Sequence, residues 1–467
     1  MPDHPWVTEG AAVRIAMTVA EPAGELGTAG TVARVEREDE EHAEVVERGT
    51  SVIHSDLRAG ANVAGAVRLK ANVGLSFQGM NLVGEGFRLS PEEVTAYGYD
   101  LAALPPVVRP YKNARDVTQG GPPRYVIDFY GLTAEQAAEL YPRLYQHVLV
   151  NVKPERDQNN RDSRRRNWWL FGEPVGKLRH AAQALPRIIL TPKTAAHRIF
   201  ISESTVLLPD CKNYVVCIAD SLALGILSSS AHVTWATAAG GWLGVGNDST
   251  YNNKDCFDPF PFPTPTESQA AQIRDLGERL DAHRKARQAA HPELTLTGMY
   301  NVLAKLRANE PLNDKERAIH ERGLVSILRE IHDALDDAVL DAYGWPRDLD
   351  DEGILERLVA LNRERAEEEK RGLVRWLRPD YQRALAGEPE PEPEALPLPG
   401  LDAGAGTPGA GPSEPTKWPA TLSDRIAAVR AVIDGSADAH EAESVARRFK
   451  AARRADVSDI LDSLAAL

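Results

Sequence analysis

Three arginines followed by two tryptophans, in SRRRNWWLF (163–171), are the residues of this sequence best suited to surface chemistry. Arg164, Arg165 and Arg166 offer charge that pairs with phosphate, and Trp168 and Trp169 offer stacking faces, the combination that nucleic-acid binders use. Lys177, Arg179, Lys193, His197 and Arg198 follow before residue 200. The alternative is a solvated basic loop whose tryptophans sit in the core, where tryptophan pairs are more often found. A second polar cluster, GGWLGVGNDSTYNN (240–253), imitates the aromatic-x-G-x-G loop that binds S-adenosylmethionine. Such a loop should follow a strand and open a helix, whereas this one follows a helix-like stretch and leads into a polar loop. Asn247, Asp248, Tyr251, Asn252, Asn253 and Lys254 suit base-edge or phosphate contact better, since an Asn amide reads adenine bidentately. A structural turn is the other reading.

The search for catalytic groups comes back empty. Asp258-Pro259-Phe260 has one proline where the amino-methylating enzymes need two before the aromatic ring that stacks on the flipped base. Histidines 180, 197, 232, 320 and 332 lack metal-ligand spacing. There is no G-x-S-x-G, no Walker loop and no convincing nuclease pattern. Cys211, Cys217 and Cys256 have no C-x-x-C spacing, which argues against a disulfide framework or thiolate zinc site and for a reducing cytoplasm. Neither a run of 18 apolar residues nor a basic, apolar leader at 1–9 is present, so a membrane location is not expected.

These residues need elements to position them, and 467 residues at 43% hydrophobic suffice for several domains. The net charge of -14 is unevenly spread: 36–47 carries -6 and 384–418 carries -5, while 153–198 carries +7. A basic middle therefore lies between acidic flanks. Strands are expected at 11–20 and 30–35, paired as a hairpin, with the glutamate-rich 36–47 as a solvated connection. Short apolar runs at 125–129, 187–190, 199–202, 205–208 and 214–219 read as strands, and 133–150, 174–185 and 221–237 as helices, giving an α+β region. FDPFPFPTP (257–265) ends it. The T-x-x-Q box at 266–269 opens a helical stretch that Gly344 and Pro346 stop. In 387–415, 14 of 29 residues are Gly or Pro, the composition of an extended linker, and 422–467 closes with three short amphipathic helices.

Taken together, PWVTEGAAVRIAMTV (5–19), GLSFQGMNLVGEGF (74–87), RPYKNARDV (109–117), RYVIDF (124–129), YQHVLVNVKPERDQN (145–159), RRRNWWLFGEP (164–174), TPKTAAHRIF (191–200), GVGNDSTYNNKDCFDPFPFP (244–263) and DAYGWP (341–346) resemble one family. It is the C-terminal half of the large class I S-adenosylmethionine-dependent DNA methyltransferases of restriction-modification and phage-defence systems. The resemblance, over about 5–383, implies the end of a Rossmann-like methyltransferase sheet in 1–73, a mixed α/β target-recognition domain in 74–265 and a helical domain in 266–383. A disordered linker in 384–418 and a small helical segment in 419–467, similar to a winged-helix start, would follow. In that family the cofactor loop and N-P-P-aromatic motif lie upstream of the position matching Pro5.

The resemblance therefore implies the recognition part of an adenine-N6 DNA methyltransferase, with S-adenosylmethionine bound by the complete enzyme and not by this chain alone. Double-stranded DNA would be its partner; a gene fragment, a misassigned start codon or a split enzyme would each give this sequence, and in the last case a separate N-terminal methyltransferase polypeptide would be a second partner. Arg164, Arg165, Arg166, Lys177, Lys193 and Arg198 would neutralise phosphates, and Tyr111, Lys112, Asn113, Trp169, Asn247, Tyr251, Asn252 and Lys254 would position the duplex or contact bases. The alternative is a non-enzymatic DNA-binding or adaptor protein derived from such an enzyme; a restriction nuclease has only this context behind it.

Overall fold

A computed structural model of the chain describes residues 60–243 and 248–387 throughout, the backbone of four strands before residue 53, and scattered positions after 415. Two compact units divide the chain, Met1–Glu390 and Pro391–Leu467. At the start of the first, His4–Thr8 pairs antiparallel with Ala11–Ile15, and Thr28–Glu38 with Ala43–Val52. The expected pairing of 11–20 with 30–35 is thus corrected. Each strand closes on a partner a few residues away, where loop entropy is smallest, and residues 36–38 and 43–47 of the acidic run lie on paired strands instead of in a free connection.

Beyond residue 60 two four-stranded sheets carry the α+β region. In one, the order is Ile201–Ser204, Arg187–Pro192, Asn213–Val216 and Ser76–Gln78, all antiparallel. Ile188, Ile189 and Leu190 are all buried, so this sheet is covered on both faces and its central strand reads as a continuous apolar run. The other orders Leu208–Pro209, Val108–Lys112, Tyr125–Ile127 and Arg88–Leu89. A small third sheet joins Thr194–Ala195, Asp248–Thr250 and Trp242–Leu243.

The helices at 133–150 and 221–237 each divide in two. Ala134–Leu140 starts from a Thr133/Gln136 capping box, and Pro142, which suits a first helical turn and no later one, begins Pro142–Asn151. Ser221–Ser228 and Ser230–Ala239 are separated at Ser229, and an Asp336 carboxylate oxygen accepts from the Ser230 amide at 2.6 Å. The proline-rich exit is extended but buried through Phe257, Phe260 and Phe262. Its carbonyls find partners in side-chain amides: Asn72 Nδ2 donates to the carbonyls of Phe257, Asp258 and Phe260 at 3.1, 3.0 and 2.7 Å, and Asn362 Nδ2 to that of Pro259 at 2.6 Å.

The capping box of Thr266 and Gln269 forms as expected and opens Glu267–Ala290. Leu296–Arg307, Asp314–Gly323 and Val325–Tyr343 follow, the last closed by Gly344 at φ 71°, and then Asp351–Lys370 and Pro379–Ala386. Residues on both sides of 265 share one hydrophobic core. Glu267–Ala290 lies so close to Ser221–Ser228 that a Cβ on Gly277 would stand 2.7 Å from the Ser221 carbonyl, and one on Gly225 2.7 Å from Ile273 Cγ2. Arg284, buried, donates to the Phe200 carbonyl at 2.8 Å and the Tyr300 hydroxyl at 3.1 Å.

In the second unit the backbone strands Thr416–Lys417 and Phe449–Lys450 pair in parallel. The expected linker beyond 387 and most of the small helical segment lie outside the described residues. Among the described residues no helix is long and apolar enough to cross a membrane.

Candidate nucleic-acid interface

The RRRNWW segment does not assemble the surface expected of it. Trp168 is buried against Tyr145, ring centroids 5.4 Å apart, and Trp169, half-buried, donates its indole N–H to the Leu132 carbonyl at 3.0 Å. The aromatics therefore go to the core, as indoles that find a partner for their polar edge usually do. Arg164 reaches Glu173 at 3.0 Å, Arg165 pairs with Asp162 at 3.2 Å and donates to the Asn159 carbonyl at 2.6 Å, and Arg166 pairs with Asp162. Asp162 is held below the usual carboxylate range chiefly by its hydrogen bond with Arg166.

Two other expected contacts are corrected outright. Arg198 is buried and donates to the Thr191 hydroxyl at 3.1 Å, to the Pro192 carbonyl and to the Ser249 carbonyl and hydroxyl at 2.8 and 3.0 Å. Burial lowers its guanidinium to about 10. Tyr251, under the same guanidinium at 5.3 Å, is fully buried among Phe200, Tyr214 and His232. Neither side chain has a face left for DNA. Tyr111 is likewise buried, its hydroxyl bonded to Asp210 and pushed up by burial and by that carboxylate. Lys112 pairs with Glu203 at 2.6 Å. Asn252 caps the turn Asn253–Phe257, accepting from the Asp255 amide at 2.8 Å. Lys177 is exposed on Gly176–Ala182, and Lys254 is exposed in a cleft with Arg68. Asn247 lies outside the described residues.

What the fold does bring together is a cleft of about 660 Å³ lined by Arg88, Asn113, Arg115, Gln119, Lys193 and Lys212, with Asp210 at its wall. Its construction is local. Val108–Lys112 ends at Asn113, whose side chain accepts from the Asp116 amide at 2.9 Å while Asp116 returns a bond to the Asn113 amide at 2.9 Å. This capping box turns the chain into Ala114–Gln119 and sets Arg115 at the cleft. Arg124 takes both oxygens of Asp116 at 2.8 Å, so that acid is already matched. On the far side Arg187–Pro192 passes into Lys193, whose amide donates to the Lys212 carbonyl at 2.7 Å. Lys212 sits in a turn that Asp210 closes by accepting from the Lys212 amide at 2.7 Å.

Arg115, Lys193 and Lys212 have no ion-pair or hydrogen-bond partner for their side-chain charge among the described residues, whereas Arg88 pairs with Glu85 and lies 5.6 Å over the Tyr111 ring. Three unmatched cations and two amides converge in a concave site: a receptor for successive anions such as backbone phosphates. Asn113 and Lys193 are sites expected from sequence; Arg115 and Lys212 are not. Arg115 stood inside the RPYKNARDV segment, and the DCKN run around Lys212 carries a turn signal, but only the fold makes them neighbours.

Of the loop that imitates a cofactor site, Trp242–Leu243 follows Ser230–Ala239 and pairs antiparallel with Asp248–Thr250, and residues 244–247 lie outside the described residues. Among the described residues no group of three His, Cys, Asp or Glu is placed to hold a metal ion.

Residues 73–264 match the family model described as MmeI, target recognition domain. The fold is similar to the solved structure of the Type IIL restriction-modification enzyme MmeI in complex with DNA, with a TM-score of 0.54 at 15% identity. That likeness covers 73% of this chain and 42% of that chain, so this chain spans less than half the length of the enzyme it matches. It bears out the expected order of a mixed α/β region followed by a helical part. No curated protein matches the chain.

Proposed function

We propose, from the match of residues 73–264 to the MmeI target-recognition-domain model, that this chain supplies the DNA-sequence-recognising part of a restriction-modification methyltransferase. The observation that carries the reading is the cleft of Arg115, Lys193 and Lys212 within that segment, three cations left unmatched where a duplex backbone would supply the anions. Asn113 and Gln119 lie in the same wall with their side chains already bonded, Asn113 accepting from the Asp116 amide and Gln119 donating to the Thr297 hydroxyl at 2.9 Å, so they shape the wall and leave its anion contacts to the cations. Adenine-N6 methylation with S-adenosylmethionine, implied by the resemblance, would be carried out by a separate N-terminal methyltransferase part, to which this chain delivers the target site. Of its own residues, none takes a step in that transfer; they bind and orient.

The test is the salt dependence of duplex binding by the full chain. Each phosphate neutralised adds about 0.9 to the slope of log K against log salt, so Arg115→Ala, Lys193→Ala and Lys212→Ala together should flatten the slope by roughly 2 to 3. An unchanged slope would remove the cleft from the interface. Methylation of a selected duplex by this chain mixed with an N-terminal methyltransferase polypeptide, and by neither alone, is the outcome expected for the split enzyme; binding without methylation in that mixture favours an adaptor.

A further inference from the structure

We infer that the hairpin edge formed by Trp242 and Leu243 is an intercalating wedge, which inserts its apolar side chains at a base step of the bound duplex. The inference rests on the DNA-binding reading above. Trp242 is 42% and Leu243 53% exposed, adjacent on the outermost strand of the small three-stranded sheet. Neither ring nor branched chain has a described partner that would explain an apolar pair held in water. An edge strand with exposed apolar side chains is a liability unless something covers it.

The sheet identifies the cover by what its opposite edge does. Thr194, on the third strand, lines the cationic cleft, and Lys193 precedes it. Strands stand about 4.8 Å apart, so two spacings put the Trp242 strand roughly 10 Å from the cleft edge. A duplex that laid phosphates in the cleft would present base edges at that range, since its grooves are about 6 to 12 Å wide. The hairpin is also held firmly enough to push. Thr250 donates its amide to the Gly241 carbonyl at 2.8 Å, the Gly241 amide donates to the Thr250 hydroxyl at 2.9 Å, and a Cβ on Gly240 would stand 2.1 Å from the Thr250 carbonyl. Ser249, opposite Trp242, is anchored by buried Arg198. Asp248, opposite Leu243, is the one acid on the described hairpin strands. Apolar wedges of this kind unstack a step and kink the duplex.

The experiment uses the full chain with fluorescein-labelled 24-base-pair duplexes of arbitrary sequence, one fully matched and one with a central mismatch that makes unstacking easier. The unmodified chain should bind the mismatched duplex about fivefold tighter or more, the lower end of base–aromatic stacking. Trp242→Ala combined with Leu243→Ser should bind both duplexes equally with an unchanged salt slope, and Trp242→Phe should retain the preference. No preference in the unmodified chain, or a preference surviving the double change, overturns the wedge. Salt-dependent binding that persists in either case leaves the recognition reading standing, whereas absence of salt-dependent binding to any duplex removes both.

Discussion

Two carboxyls illustrate how single residues tie this protein's stability to pH. Burial raises Asp258 and Asp336 from 3.8 to about 6, against the opposing pull of Arg68 on the first and of the Ser230 amide and Arg307 on the second. Between pH 3.8 and about 6 the folded chain holds protons that the unfolded chain has released. Their contribution therefore favours the folded state at the acid end and is lost as pH rises through that window. Asp336→Asn keeps an acceptor for Ser230 while removing the titration, so its stability by chemical denaturation should fall less between pH 4.5 and 7 than that of the unmodified chain. An identical decline in both would place Asp336 outside this linkage. Glu368 works in the opposite sense: hydrogen bonds from Arg375 and Arg365 hold it at about 2. That stabilisation is present above its ordinary value and is lost as pH falls toward 2. At the same scale the tryptophans were ambiguous in sequence because an indole serves a core or a base platform equally well. The choice was made by Leu132 and Tyr145, distant in sequence, which supply the carbonyl and the ring.

Between elements, the tightest constraint is the crossing of Ser221–Ser228 and Glu267–Ala290 at Gly225 and Gly277. Alanine at 277 would raise intrinsic helix propensity by about 1 kcal/mol, yet its Cβ would meet the Ser221 carbonyl at 2.7 Å and the Gly225 amide at 3.1 Å. Backbone cannot swing aside as a flexible side chain would, so the helices must separate. Gly277→Ala should therefore destabilise the chain by about 1–3 kcal/mol, the usual cost of overpacking, read as a lower thermal midpoint. A higher midpoint would mean that propensity wins. Element boundaries were partly legible beforehand: the Thr266/Gln269 box and the Gly344 stop formed where their spacing put them, because caps are local chemistry. Strand partners in the first fifty residues were not, because alternation fixes a strand's faces and leaves its neighbour open.

At the scale of the whole molecule, the helical part completes the core of the α+β region. Ile273, Leu276 and Leu280 are buried in the same cluster as Phe200 and Leu224, and Arg284 satisfies the Phe200 carbonyl. A chain ended at 265 would expose that apolar surface and strand the carbonyl, so it should lose the single cooperative unfolding transition expected of residues 1–390; a sharp melt from the shorter chain would refute the shared core. The net charge of -14 belongs to this scale too, since an approaching polyanion would meet local potential before it met the average. By itself the sequence determined the α+β-then-helical order, the capped helix at 266, the absence of recognisable catalytic motifs and the resemblance to a recognition domain. All of these follow from local patterns of residue type. Only the tertiary structure decided which charges are free. Arg198 and the RRR run are as basic in sequence as Arg115 and Lys212, but the fold places acids or buried carbonyls against the former and leaves the latter unmatched around one cleft. Whether a cation can hold a phosphate depends on what else reaches it, and that is set by residues remote along the chain.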